Sequence, residues 1–195
     1  MTDDQILTQI REFEACKSWM YLDTDSPPNV TIASGCLLAS VTDALKLAFQ
    51  RVIDGAPASQ DEISAEYFRV KAMPGGLLAK AYRGAIELPA AAVDELDLVR
   101  LRQTYGGLVE IFPGFDGFPG PAQAALFDLG WNCGTGRHLP GLGGWTHLLG
   151  ACNAVPPNWG QAAQECTTAN PTNNPGRAER NVWRQGRFRA CLATS

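Results

Sequence analysis

The sequence predicts an α+β protein, mostly α, with a small β-hairpin lobe and a larger helical lobe. Three observations carry this. Cap signals followed by apolar residues at helical spacing recur along the chain. One stretch, Tyr21 to Leu38, switches to a turn-and-strand pattern. One segment, AQAALFDLGWNCG, is apolar nearly all round, the pattern of a buried central helix.

Taken in order, Thr2 caps a first helix with Gln5 three residues on, and Ile6, Ile10 and Phe13 share a face. This helix is expected to run to about Ala15 or Cys16. Pro27, Pro28 and Asn29 make a turn, and Val30–Ala33 reads as a strand of a hairpin or three-stranded sheet. Thr42 reads as the next cap, with Leu45, Ala48, Phe49 and Val52 on one face. Ser59 and Glu62 form a capping box ahead of Ile63, Tyr67 and Val70. Pro89 to Arg102 is a further helix. The Pro- and Gly-rich FPGFDGFPG, residues 112–120, is a loop whose phenylalanines tuck into the core. Pro121 suits a first helical position and opens the central helix. Shorter helices start near Gly144 and Asn158, and a last one runs from about Pro175 to Cys191. Gly75-Gly76, Gly106-Gly107 and Gly141 to Gly144 read as turns, none with phosphate-loop spacing.

A chain of 195 residues, 45% apolar and 18% charged, can bury a real core and is not disordered. Its net charge is −4. Residues 1–100 carry nine basic against fifteen acidic side chains; residues 101–195 carry seven against five. An acidic chain whose arginines lack interleaved lysines or an aromatic platform is not expected to bind nucleic acid. The arginines of the last helix read as a solvated face. The opening MTDDQILTQI is not a basic-then-apolar leader, and no apolar run could span a bilayer. Neither a signal peptide nor stable membrane insertion is expected. Six scattered cysteines without a CxxC pair, and only two histidines, argue against zinc. They favour disulfides in an oxidising compartment over buried thiols.

The chemistry starts at FEACKSWMYLDTDSPPNVTIASG, residues 13–35. Cleaving a glycosidic bond takes a proton for the leaving oxygen and a second carboxyl to place water or stabilise positive charge on the sugar. Glu14, at a helix end between Phe13 and Trp19, suits the protonated acid. Asp23, in a polar turn with Thr24, Asn29 and Thr31, suits the ionised partner. Asp25 is its rival.

This stretch resembles the phage-type lysozymes: a helix ending in Glu, then Tyr-x-Asp, a turn, and a Thr-Ile-Gly-x-Gly strand. The spacing from Glu14 to Asp23 is the family's. The turn before Thr31 is longer by two residues; Ala15 stands for a Gly, Ala33 and Ser34 replace the Gly-x, and Cys36 stands where His is common. Downstream, Trp131, Asn132, Cys133 and Gly134 resemble a Phe-Asn-x-Gly helix end. Trp159, Ala162 and Ala163 match a Trp-x-x-Ala-Ala helix, and GRAERNVWRQGRF is similar to the closing Arg-Ala-x-Arg helix. The likeness covers about half the chain, at both ends; residues 55–115 match little.

The resemblance implies a single lysozyme-like domain over 1–195, with a small lobe of about 14–60 and a helical lobe of about 61–195 plus the first helix. It implies a peptidoglycan muramidase acting on glycan strands by inversion, with no metal and no cofactor. Glu14 would be the general acid and Asp23 the partner that orients or deprotonates water. Thr31 would help hold that water, and Asn132 would bond sugar. Arg177, with Arg180 as the alternative, would stand against the acid. A lytic transglycosylase, a chitinase-like glycosidase and a catalytically inactive wall-binding module are the alternatives. Leaderless chains with a YLD…T…G opening also look like antibacterial effectors that secretion machines, type VI among them, deliver to the periplasm. An effector implies a cognate immunity protein that plugs the cleft.

Overall fold

The computed structural model describes residues 2–23, 27–74, 82–168 and 175–194. The chain is α+β and mostly α. In order, its elements are α1 (Asp3–Phe13), β1 (Lys17–Leu22), β2 (Val30–Ala33), β3 (Cys36–Leu37), α2 (Val41–Ala44), β4 (Gln50–Arg51), α3 (Gln60–Lys71), β5 (Ile86–Glu87), α4 (Ala90–Ile111), α5 (Gly120–Cys133), α6 (Thr146–Cys152), α7 (Trp159–Glu165) and α8 (Pro175–Ala190). Contacts group the residues into two units, Glu14–Arg100 and Met1–Phe13 with Leu101–Ser195. Residues 61–100 thus group with the small sheet, whereas the lobe boundary expected from sequence lay near residue 60.

In the unit Glu14–Arg100, β1, β2 and β3 form an antiparallel sheet in that order. Tyr21 lies opposite Thr31 and Leu22 opposite Val30, with a bulge between Lys17 and Tyr21. Strand alternation sorts the side chains. Met20, Leu22, Val30 and Ile32 enter the unit's core with Ile63, Tyr67 and Val70 of α3. Tyr21 and Thr31 therefore share the opposite face. The Ser59–Glu62 capping box forms as its spacing predicts and starts α3. The next cap is Ser40 rather than Thr42: Ser40 and Asp43 close a reciprocal box over a single helical turn. Residues 45–52 do not continue as a helix, because Gln50 and Arg51 pair with β5 instead. Gly75-Gly76 lies outside the described residues.

The other unit is helical. α5 is buried over most of its length and has Pro121 in its first turn. Phe112 and Phe115 are buried and Phe118 is half-buried, forming an edge-on aromatic cluster that Phe127 and Trp159 join. α4 runs on through Gly106-Gly107 to Ile111. That pair is helical, not a turn. A β-carbon on Gly107 would stand 1.9 Å from the Thr135 hydroxyl, so close packing requires glycine here.

The last helix corrects a second expectation. Its arginines are not one solvated face. Arg180 and Arg184 are buried, and both bond the buried carboxylate of Asp128 at the centre of α5. Burial holds the Arg184 guanidinium below its ordinary pKa, with Asp128 opposing. Phe13, the last residue of α1, packs edge-on against Trp183 at 5.4 Å and lies under Arg180. A disulfide framework is also not what forms: all six cysteines are free thiols. No helix of the described residues is long and apolar enough to cross a membrane.

Removing one partner of a buried ion pair strands the others in low dielectric. Asp128→Ala is expected to cost about 3–5 kcal/mol in urea unfolding, and the exposed Arg189→Ala about 0.5 kcal/mol or less.

Candidate active site

α1 buries Ile6, Leu7 and Ile10 and ends at Phe13. Glu14 is thus the first residue beyond the helix, two residues sooner than the apolar spacing suggests. Residues 14–16 are spent turning the chain into β1, which starts at Lys17. Glu14 is half-buried. Its Oε2 lies 3.9 Å from the point where a β-carbon on Gly35 would stand.

Asp23 follows the last residue of β1 and extends the ladder. Its backbone N–H donates to Asn29 O at 3.0 Å. Its carboxylate is fixed from below. Oδ1 accepts the Asn29 backbone N–H at 2.8 Å, and Oδ2 accepts Asn29 Nδ2 at 3.2 Å. The Thr31 hydroxyl donates to Asn29 O at 3.3 Å and approaches Asp23 Oδ2 at 3.5 Å. Of the side chains named as a polar turn in the sequence, Asn29 and Thr31 thus hold the second acid, and Thr24 lies outside the described residues. Asp23 stands two residues beyond Tyr21, so it continues the face that Tyr21 and Thr31 occupy.

Tyr21 is 4% exposed. Burial pushes its phenol well above the ordinary tyrosine pKa; Glu14 adds to this, then the Cys36 thiol, while Arg100 opposes and Asp23 adds a smaller push.

The β2–β3 turn beside Glu14 is gripped from α4. Asp97, fully buried, accepts the Ser34 backbone N–H at 3.2 Å and the Ser34 hydroxyl at 2.7 Å. Cys16 Sγ lies 3.9 Å from Asp97 Oδ2, the oxygen that takes the Ser34 hydroxyl. Arg100 donates from Nη1 to Ser34 O at 3.1 Å and to Gly35 O. Burial raises the pKa of the Cys36 thiol, and Arg100 restrains the rise. Ala33 sits at φ 52° and Gly35 at φ 87°, both left-handed. Ala33 therefore keeps the backbone shape that the glycine of the resembled strand would adopt freely. Sequence reasoning missed Asp97, Arg100 and Ser34. The available signal was an acid and an arginine three residues apart on one helical face.

The remaining candidates are placed as follows. Asp25 lies outside the described residues. Asn132 is exposed in the last turn of α5, with Cys133 Sγ 3.9 Å from its Oδ1, and Gly134 at φ 74° ends that helix. Arg177 is exposed near the start of α8, and Arg180 is engaged with Asp128. These three belong to the helical unit; Glu14, Asp23 and Thr31 belong to the other. His138 and His147 are exposed. Among the described residues no group of three His, Cys, Asp or Glu side chains could hold a metal ion. Compared with known proteins, the sequence matches no family model and no curated protein.

A methyl at Gly35 would meet Arg100 Nη1 at 3.0 Å in a backbone shape that L-residues avoid. Gly35→Ala is expected to cost about 1–2 kcal/mol in thermal unfolding.

Proposed function

We propose that this protein is a peptidoglycan muramidase that hydrolyses the β-1,4 bond between N-acetylmuramic acid and N-acetylglucosamine. One observation supports the reading above the others: Asp23 is held by Asn29 and Thr31 at the start of β2, and Glu14 Oε2 lies beside Gly35 just past its end. Two acids at the spacing of the resembled motif thereby border one strand of the same small sheet.

In this mechanism Glu14 gives its proton to the glycosidic oxygen as the bond from that oxygen to the sugar C1 breaks, its electron pair staying on oxygen. Water adds to C1 from the opposite face and passes its proton to Asp23. Asn29 and Thr31 hold the Asp23 carboxylate, so its oxygens are oriented before substrate arrives. Carboxylates and water suffice for this chemistry without a metal or organic cofactor.

The proposed setting is the periplasm of a target cell, with the protein as an antibacterial toxin, type VI delivery as the route, and an immunity protein as its partner. Expression directed to the host periplasm should lyse cells, expression in the cytosol should not, and a neighbouring gene should rescue.

Glu14→Gln is expected to lower release of reducing ends from purified sacculi by about 1000-fold or more, and Asp23→Asn by about 100-fold, both with unchanged melting temperature. Mass spectrometry of the products should show reducing muramic ends. Anhydro ends would replace hydrolysis with lytic transglycosylation. A wild-type protein that binds sacculi and releases nothing would make it a binding module.

A further inference from the structure

Arg100 stands apart from the arginines that the sequence set against the acid. Those, Arg177 and Arg180, lie in the helical unit. Arg100 shares the unit of Glu14 and is half-buried on α4. Its Nη1 is 3.0 Å, and Glu14 Oε2 3.9 Å, from the same point, the place a β-carbon on Gly35 would fill. The cation and the carboxylate thus both border the bare backbone of Gly35. The guanidinium is held in place by its bonds to Ser34 O and Gly35 O. A charge fixed in advance does more for a reaction than one that must be reoriented as the reaction proceeds.

We propose that Arg100 is the positioning residue for Glu14: clamped to the β2–β3 turn, it holds the Glu14 carboxyl in place and stabilises the negative charge left when the proton goes to the leaving oxygen. The role in catalysis rests on the muramidase reading; the pairing of Arg100 with Glu14 does not. Gly35 is part of the device, because a side chain there would press on Arg100 Nη1 at 3.0 Å.

Two measurements test this separately. In turnover, Arg100→Gln should lower kcat by about 100-fold with KM little changed. Arg100→Lys, which keeps the charge without the fork, should recover part of the loss. An Arg100→Gln protein with full kcat, or a lysine variant no better than the glutamine one, would overturn the role. The second measurement needs neither activity nor an Arg100 variant: the Arg100 Nε–H resonance is compared between wild type and Glu14→Gln by NMR. A clear shift is expected, and an unmoved resonance overturns the pairing. A wild-type protein that cleaves no glycan would sink the muramidase reading alone and leave the resonance comparison to decide the pairing.

Discussion

The grip of Asp97 on Ser34 is the constraint on which the small unit is organised. A fully buried carboxylate is costly unless its oxygens are hydrogen-bonded. Asp97 meets that condition through the backbone and hydroxyl of one residue, Ser34. The bond fixes the β2–β3 turn against α4, one helical turn from Arg100, which takes the carbonyls of the same turn. Donor and acceptor groups of Ser34 are thus both engaged by a single helix. With that turn fixed, β2 is fixed, and with β2 the register that sets Thr31 opposite Tyr21. Gly35 takes its left-handed backbone freely, whereas Ala33 takes the same region against its own preference beside a turn that these bonds fix.

The helical unit has a counterpart whose buried acid is met by charged partners. There a single buried acid, Asp128, is shared by Arg180 and Arg184. Buried ion pairs of this kind contribute less to stability than their geometry suggests, since both partners give up water. Their effect is to make one arrangement of α5 and α8 better than its neighbours, because a shifted helix would strand a charge. One arm of Arg184 has no hydrogen-bond partner among the described residues, which leaves part of that cost uncompensated.

Much of this was legible in the sequence wherever a local rule decided the outcome. Ser59 and Glu62 announced α3, Pro121 announced α5, and Pro27 to Ala33 announced the hairpin. Glu14 and Asp23 stood out because two acids at the junction of a helix and a turn need a reason. What escaped was decided by partners far along the chain. Gly106-Gly107 reads as a turn until Thr135 is seen filling the space beside Gly107. Ser40 competes with Thr42 for the cap, and β5, more than thirty residues away, takes Gln50 and Arg51 out of the helix. Arg180 and Arg184 look like solvated charges until Asp128 is placed. That acid was itself the clue, since a lone carboxylate in an apolar helix calls for a buried cation. Asp97 and Arg100 sit in the middle third of the chain, where the resemblance to lysozymes was weakest.

The thiols are not equal. Cys152, Cys166 and Cys191 are buried, and burial also raises the pKa of half-buried Cys36 and Cys133. The thiolate is the nucleophile that attacks an alkylating reagent, so these five react slowly. Cys16 is exposed and stands two residues beyond Glu14. The native chain therefore carries its own attachment point for a fluorophore or spin label, at the rim of the proposed site and without an engineered cysteine.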